Sequence, residues 1–357
     1  MAAPLPTAHR PDALRSLGSV LLRYREISVA IVAIIVAAIF QANSSTFFSL
    51  DEMSVVLRDT GQFGVIACAE VLVMITGEID LSAAKIFGFA PFVMWYFYHG
   101  FDLPVIFFSV HIPQTPLLLA FVLAVLSGVA IGFINGFFTV KIGIPSLVTT
   151  LGTFFFLNGW TEYMSNSQQL TTPSAEPFSK IFGENVYTPA SGFQLAYLSS
   201  ITPFLWAALV VLLITYMLKK TVFGLHTIAV GSNIEGAKEI GVRVARVKIT
   251  NFMLTGGLCA LIGVIEAVRS TSTDPSAGDS SLTLSAIAAA VIGGTSLFGG
   301  SGTAIGALLG CFVIASLQNG LPLIGAQATV SDMIVGAAIL IAMVLNIWLN
   351  QVRTRRG

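Results

Sequence analysis

KKTVFGLHTIAVGSNIEGAKEIGVRVARVK, residues 219–248, is the long charged stretch between apolar runs of membrane-spanning length. It carries Lys219, Lys220, Lys238, Arg243, Arg246 and Lys248 against Glu235 and Glu239. Cationic loops stay on the cytoplasmic side of a membrane, so this stretch orients the rest of the chain. Within it, Asn233 to Gly241 reads as a short helix, with Asn233 as N-cap and Gly241 as the C-terminal stop. A short polar helix outside the bilayer suits docking of a soluble partner. The same charges also suit a solvated loop that only sets topology.

The composition around this segment is that of a membrane protein. Hydrophobic residues make up 55% of the 357 and charged residues only 10%, where a globular domain carries roughly 25%. The apolar runs are long and continuous rather than alternating, which argues for helices and against a β-barrel. The fold class expected is all-α: a polytopic integral membrane protein of about ten transmembrane helices, some short or broken. The net charge of zero gives no bulk attraction to nucleic acid. Cys68, Cys259 and Cys311 all fall in apolar runs without metal-ligand spacing and read as buried packing residues.

Residues 1–26, with Arg10, Arg15, Arg23 and Arg25, read as a cytoplasmic tail without a cleavable signal pattern. Residues 27–350 read as the transmembrane region, and 351–357, with Arg353, Arg355 and Arg356, as a second cytoplasmic tail. The spans predicted are 27–47, 60–76, 83–98, 117–140, 145–164, 203–218, 249–268, 284–297, 303–318 and 330–350. Asp51, Glu52, Arg58 and Asp59 read as an outer loop, and 165–202 as the longest outer loop, with room for one short surface helix. With the N-terminus inside, six crossings bring 219–248 inside and four more bring the Arg-rich tail inside, so all strongly basic segments share one side. The span at 284–297 is too short for a full crossing: about 14 residues rise only about 21 Å. GEIDLS (77–82) and GGTSLFGG (293–300) are two glycine-marked turns in matching positions, which hints at an internal duplication.

Chemistry in such a chain falls on the few polar groups inside the spans. Glu70 and Glu266 lie within apolar runs, and Glu78 and Asp80 at a span end. Such carboxylates serve as proton relays, as solute contacts or as structural helix-end groups; Asp80 before Leu81-Ser82 suits a helix cap. Asn135, Thr149, Thr150, Thr153 and Asn158 offer neutral hydrogen-bonding groups that suit a polyhydroxylated solute or, equally, interhelical bonds. Gly128, Gly132 and Gly136, and Gly306 and Gly310, repeat at helical spacing and suit close helix packing. No phosphate-binding loop, H-E-x-x-H, Gly-x-Ser-x-Gly or Cys/His cluster occurs, so neither ATP hydrolysis nor membrane-enzyme chemistry is expected of this chain.

Taken together, the motifs resemble the permease subunits of bacterial ribose/xylose/arabinose-type ABC sugar importers, over residues 50–350. GGTSLFGG with the G-x-x-x-G and Asn319-Gly320-Leu321 that follow, Pro145 through Thr153 ending Thr-Leu-Gly-Thr, and Gly132-x-x-Asn135-Gly136 carry the likeness. GEIDLS is similar to the family's GGIDLS, with Glu78 where glycine is usual and Ala83-Ala84 for Val-Gly. Ala229-x-Gly231-x-Asn233-x-Glu235-x-Ala237 resembles the family's coupling helix, with Gly236 for a usual alanine. The resemblance implies coupling to an ATPase through Asn233, Glu235, Gly236, Ala237, Lys238, Glu239 and Gly241. It also implies a translocation path near Glu70, Asp80, Asn135, Thr150, Thr153, Asn158, Thr295 and Ser296. The implied partners are a second copy of the chain, an ABC ATPase that binds ATP and Mg, and a periplasmic sugar-binding protein; the implied site is the inner membrane. The rival readings are an ion-coupled secondary transporter using Glu70, Glu78 or Glu266, and a membrane scaffold that moves no solute.

Overall fold

The computed structural model describes residues 25–105, 108–175, 178–182, 192–327, 329–331, 333–341 and 344. The tail at 1–24, part of the loop at 165–202 and the Arg-rich C-terminus lie outside the described residues. The chain is a helical bundle: α1 (Arg25–Asn43), α2 (Leu50–Ile75), α3 (Ala83–His99), α4 (Leu117–Phe137), α5 (Ser146–Ser165), α6 (Phe178–Phe182), α7 (Gly192–Lys220), α8 (Val222–Ser232), α9 (Ile234–Glu239), α10 (Val244–Ser270), α11 (Ser280–Ile292) and α12 (Ala304–Leu323). Among the described residues, five helices are long and apolar enough to cross a membrane: Glu26–Asn43, Leu117–Ile142, Ile201–Lys220, Val244–Ser270 and Ala304–Leu323. Cys68, Cys259 and Cys311 are buried, free thiols within this bundle.

Several boundaries differ from the sequence expectation. Asp51 to Asp59 are helical, not a loop: Ser49 Oγ accepts from Glu52 N, so α2 starts at Leu50 and places two carboxylates in its positive first turn. Arg58 pairs with Asp59 at 2.9 Å, and Asn319 Nδ2 donates to Asp59 Oδ2, which accommodates the charges on the helix. α7 starts at Gly192 and carries Pro203 inside it. The Pro-containing link after α3 is a two-stranded hairpin, β1 (Phe101–Val105) with β2 (Phe108–Ile112), so the fold is mostly rather than wholly helical. The short span is confirmed as short: α11 has 13 residues, about 20 Å against the roughly 30 Å of a hydrocarbon core.

Packing follows the glycine spacing. A Cβ at Gly128 or Gly132 would overlap the backbone of Gly256 and Phe252, so α4 and α10 meet backbone to backbone. Gly306 and Gly310 meet Gly293 and Ala289 in the same way, joining α12 to α11. Close approach of this kind supplies the packing that apolar lipid cannot drive.

The loops sort to two ends. At one, β3 (Leu170–Thr171) pairs with β4 (Ser272–Thr273), Gln169 bonds Asp274, and Tyr96 bonds the Met164 carbonyl. The 274–279 loop folds over the start of α3: Lys85, fully buried, donates to the carbonyls of Pro275 (2.8 Å) and Ala277 (3.2 Å). At the other end three glycine-containing segments converge. Gly300 N donates to Ile75 O, and Gly231 of α8 packs against both atoms with no room for a Cβ. Asn251 of α10 donates to Thr227 of α8. Lys248 of α10 pairs with Glu78 at 2.5 Å, with side chains only 11% and 16% exposed. Contacts therefore run in a closed ring from α8 through α10 to the 76–78 turn and back to α8.

Two outcomes test this junction by thermal unfolding in detergent. Gly231→Ala should destabilise by about 3 kcal/mol, the upper range for overpacking, because the obstructing atoms are backbone. Glu78→Gln leaves a mostly buried ammonium unpaired and should cost about 3 kcal/mol; Glu78→Gln/Lys248→Met together should cost less than Glu78→Gln alone.

Candidate functional site

Residues 79–82 cross the interior between α2 and α3 as neither helix nor strand, so their N–H groups need acceptors from elsewhere. Each of the four finds a side chain. Ile79 N donates to Ser146 Oγ (3.3 Å), Asp80 N to Glu70 Oε2 (3.4 Å), Leu81 N to Thr150 Oγ1 (3.0 Å) and Ser82 N to Asp80 Oδ1 (2.9 Å). Ser146 and Thr150 stand one turn apart on α5, and Thr150 Oγ1 in turn donates to the Ser146 carbonyl. The network continues sideways: Ser82 Oγ donates to Asp80 Oδ1, Asn135 Nδ2 to Ser82 Oγ, and Thr153 Oγ1 to Asn135 Oδ1. From α11, Thr283 donates to the Leu81 carbonyl. Asp80 thus holds the turn rather than capping α3 in the usual way, since its carboxylate takes the N–H of Ser82 and not one further along the helix.

Glu70, Asp80, Ser82, Asn135 and Thr150 are fully buried. Glu70 Oε1 and Asp80 Oδ2 have no hydrogen-bond partner among the described residues. The cluster therefore keeps spare acceptors beside neutral hydroxyl and amide groups, the chemistry that recognises hydroxyls. A groove of about 400 Å³ between α4 and α5, lined by Ile131, Phe138, Thr149, Gly152 and Thr153, adjoins it. Among the described residues no three His, Cys, Asp or Glu side chains gather as a metal site.

Five residues expected on a solute path, Glu70, Asp80, Asn135, Thr150 and Thr153, are thus brought into one network. The other three are not in it. Asn158 is half-buried two turns further along α5. Thr295 is buried at the glycine junction, where Gly302 packs on its side chain, and the Ser296 hydroxyl accepts from Phe298 N. Of the remaining carboxylates, Glu266 is tied to Arg269 on its own helix and Glu78 to Lys248. Sequence reasoning passed over Ser82, Ser146, Thr283 and Lys85. Ser146, Thr150 and Thr153 form a hydroxyl stripe at helical spacing, and Lys85 is a lone cation in an apolar run, so both signals were present. In the 274–279 loop, burial favours a raised Asp274 carboxyl, but bonds from Ser276 and Gln169 and the nearby Lys85 ammonium hold it below the usual carboxylate range.

The short helix expected between Asn233 and Gly241 is present as α9. Asn233 Oδ1 caps it through Gly236 N (3.0 Å), and it stops before Gly241, whose φ is +84°. Ala237 is buried in a small core with Val230, Val242 and Val247, which seats the helix on α8 and α10. Glu235, Lys238 and Glu239 stay exposed, the first two paired at 2.8 Å.

Comparison with known proteins places this geometry in a family. The chain is 33% identical over 325 residues to the xylose/arabinose import permease of Sulfolobus acidocaldarius, covering 91% of this chain and 85% of that one. It is 30% identical over 324 residues to the autoinducer 2 import system permease of Photorhabdus luminescens, covering 90% and 89%. It is 29% identical over 313 residues to the fructose import permease of Rhizobium meliloti, covering 86% and 80%. No solved structure matches the chain. Residues 52–343 match the family described as branched-chain amino acid transport system / permease component, so the chain belongs to that family of multi-pass membrane permeases.

Proposed function

We propose that the chain is the membrane-spanning permease subunit of an ABC importer that brings a monosaccharide or related polyol into the cytoplasm. What carries the reading is that its relatives, similar along nearly the whole chain, are import permeases for pentoses, fructose and autoinducer 2. The buried network supports it with hydroxyl, amide and carboxylate acceptors suited to an uncharged polyol. In this reading the protein lies in a bacterial inner membrane with about ten crossings and both termini cytoplasmic. The 219–248 segment faces the cytoplasm and 165–202 the periplasm. Two copies form the path; α5 supports this, since Val148, Phe155, Phe156 and Tyr163 leave it largely uncovered in the single chain.

ATP and Mg are bound by a separate ATPase subunit, which takes α9 in a groove, and a periplasmic binding protein delivers the solute. Nucleotide closes the ATPase pair, and its differential affinity for the closed state drives the path between outward- and inward-facing forms. Asn233, Gly236, Ala237 and Gly241 shape α9, while Glu235, Lys238 and Glu239 present its charged face. No catalytic step falls to this chain. An ion-coupled carrier is the weaker reading, because Glu78 and Glu266 are both engaged in ion pairs.

In proteoliposomes, uptake of xylose or fructose should require the ATPase subunit, ATP and the binding protein, and persist when the pH gradient is collapsed. Uptake driven by a pH gradient without the ATPase would sink this reading. Glu235→Arg should insert normally yet lower uptake about tenfold or more, the scale of a lost interface hot spot; wild-type uptake in that variant would remove α9 from the coupling role.

A further inference from the structure

The π-helical turn Phe138–Ile142 that follows α4 and the first turns of α10 line a second groove, of about 550 Å³, that plays no part in the reading above. Its lining includes Lys141, Arg243, Arg246, Ile249, Thr250 and Met253, and no acidic residue. We infer that this groove is a binding site for the phosphate headgroup of an anionic phospholipid. The inference rests on the chain spanning a membrane and is independent of which solute it moves.

Four observations meet there. First, Lys141, Arg243 and Arg246 are brought together from two segments a hundred residues apart in sequence, and none of the three forms an ion pair with a carboxylate among the described residues. Cations that converge on one space without a counter-charge leave a positive site for a mobile anion. Second, Arg243, the N-cap residue of α10, lines the groove, which puts the positive end of a 27-residue helix beside it. Third, the groove lies at the limits of two apolar spans, Leu117–Ile142 and Val244–Ser270. That is the depth at which headgroups meet the hydrocarbon region. Fourth, the lining changes character along α10: charged at Arg243 and Arg246, then apolar at Ile249 and Met253 one to two turns deeper. A ligand with an anionic head and apolar tails matches that gradient, whereas a free ion uses only half of it. Basic pockets between transmembrane helices are the usual form of such sites.

The site also has a mechanical position. Lys248, which pairs with Glu78, and Asn251, which bonds Thr227, sit on α10 within two turns of Arg246. A headgroup held by Arg243 and Arg246 therefore braces the start of the helix that closes the coupling ring.

The full chain, purified in neutral detergent with phosphatidylglycerol and phosphatidylcholine supplied together, tests this by native mass spectrometry. One phosphatidylglycerol per chain should be retained after phosphatidylcholine is lost. Lys141→Gln, Arg243→Gln and Arg246→Gln should each weaken retention about fivefold, and the triple variant on the order of 100-fold. The single variants keep the test meaningful if the triple variant does not fold. Lys219→Gln/Lys220→Gln, which removes two cations at the end of α7 away from the groove, should leave retention within about twofold. Equal retention by the three single variants and the wild type would overturn the proposal. So would an equal loss in the Lys219/Lys220 variant, which would make the binding a diffuse charge effect. Displacement of the lipid by excess inorganic phosphate would make a free anion the occupant and overturn it as well.

Discussion

A backbone N–H taken out of water without an acceptor costs a few kcal/mol, and residues 79–82 present four in succession inside a membrane protein. The surrounding sequence answers that one demand. Glu70, Ser146, Thr150 and Asp80 each supply an oxygen to one of the four. A carboxylate in the apolar half of α2 is therefore first an acceptor for irregular backbone. The same bonds give the turn its polarity: once the four N–H groups are met, Glu70 Oε1 and Asp80 Oδ2 remain over, beside the amide of Asn135 and the hydroxyls of Ser82 and Thr153. One set of side chains thus meets the need of the backbone and leaves two acceptor oxygens over.

That arrangement works only because the helices around it come very close. α4 meets α10 through Gly128, Gly132 and Gly256, which brings Asn135 within reach of Ser82. The 76–78 turn meets α8 through Gly231 and the 299–300 segment through a backbone bond to Ile75. Gly231 and α9 belong to one continuous arm, so α9 is tied through Gly231 to the end of α2 that leads into the turn carrying Asp80. The Glu78–Lys248 pair adds a second attachment on the far side. Glu78 stands where the sugar-permease pattern has glycine, and the side chain that replaces it is matched by a cation from α10, so the turn keeps its place.

Much of this was legible from residues alone, and the limits are instructive. The α9 helix was readable because an N-cap asparagine and a glycine stop are local signals, and both act as read. The packing glycines were readable from spacing. Five of the eight residues expected on a path converge in one network: Glu70, Asp80, Asn135, Thr150 and Thr153 are polar groups in otherwise apolar segments. Boundaries were harder: Asp51 to Asp59 look like a loop until Ser49 is seen to cap them and Asn319, 260 residues away, is seen to bond Asp59. The pairing of Glu78 with Lys248 spans 170 residues, and no local pattern encodes it. Asn158, Thr295 and Ser296 share the polarity and motif of the others, but position along the helix and the glycine junction keep them out of the hydrogen-bonded network.

Lys85 imposes a schedule on biosynthesis. Its ammonium lies fully buried in α3, and the carbonyls that accept its protons belong to Pro275 and Ala277, 190 and 192 residues later. Lys85 is the third residue of α3, so the buried cation sits in the first turn of a helix of only 17 residues. When this helix leaves the ribosome, the carbonyls that accept from Lys85 in the folded chain have not yet been made. The native seat of Lys85 is therefore completed only once α10 and the 274–279 loop are in place, long after α3 itself is made.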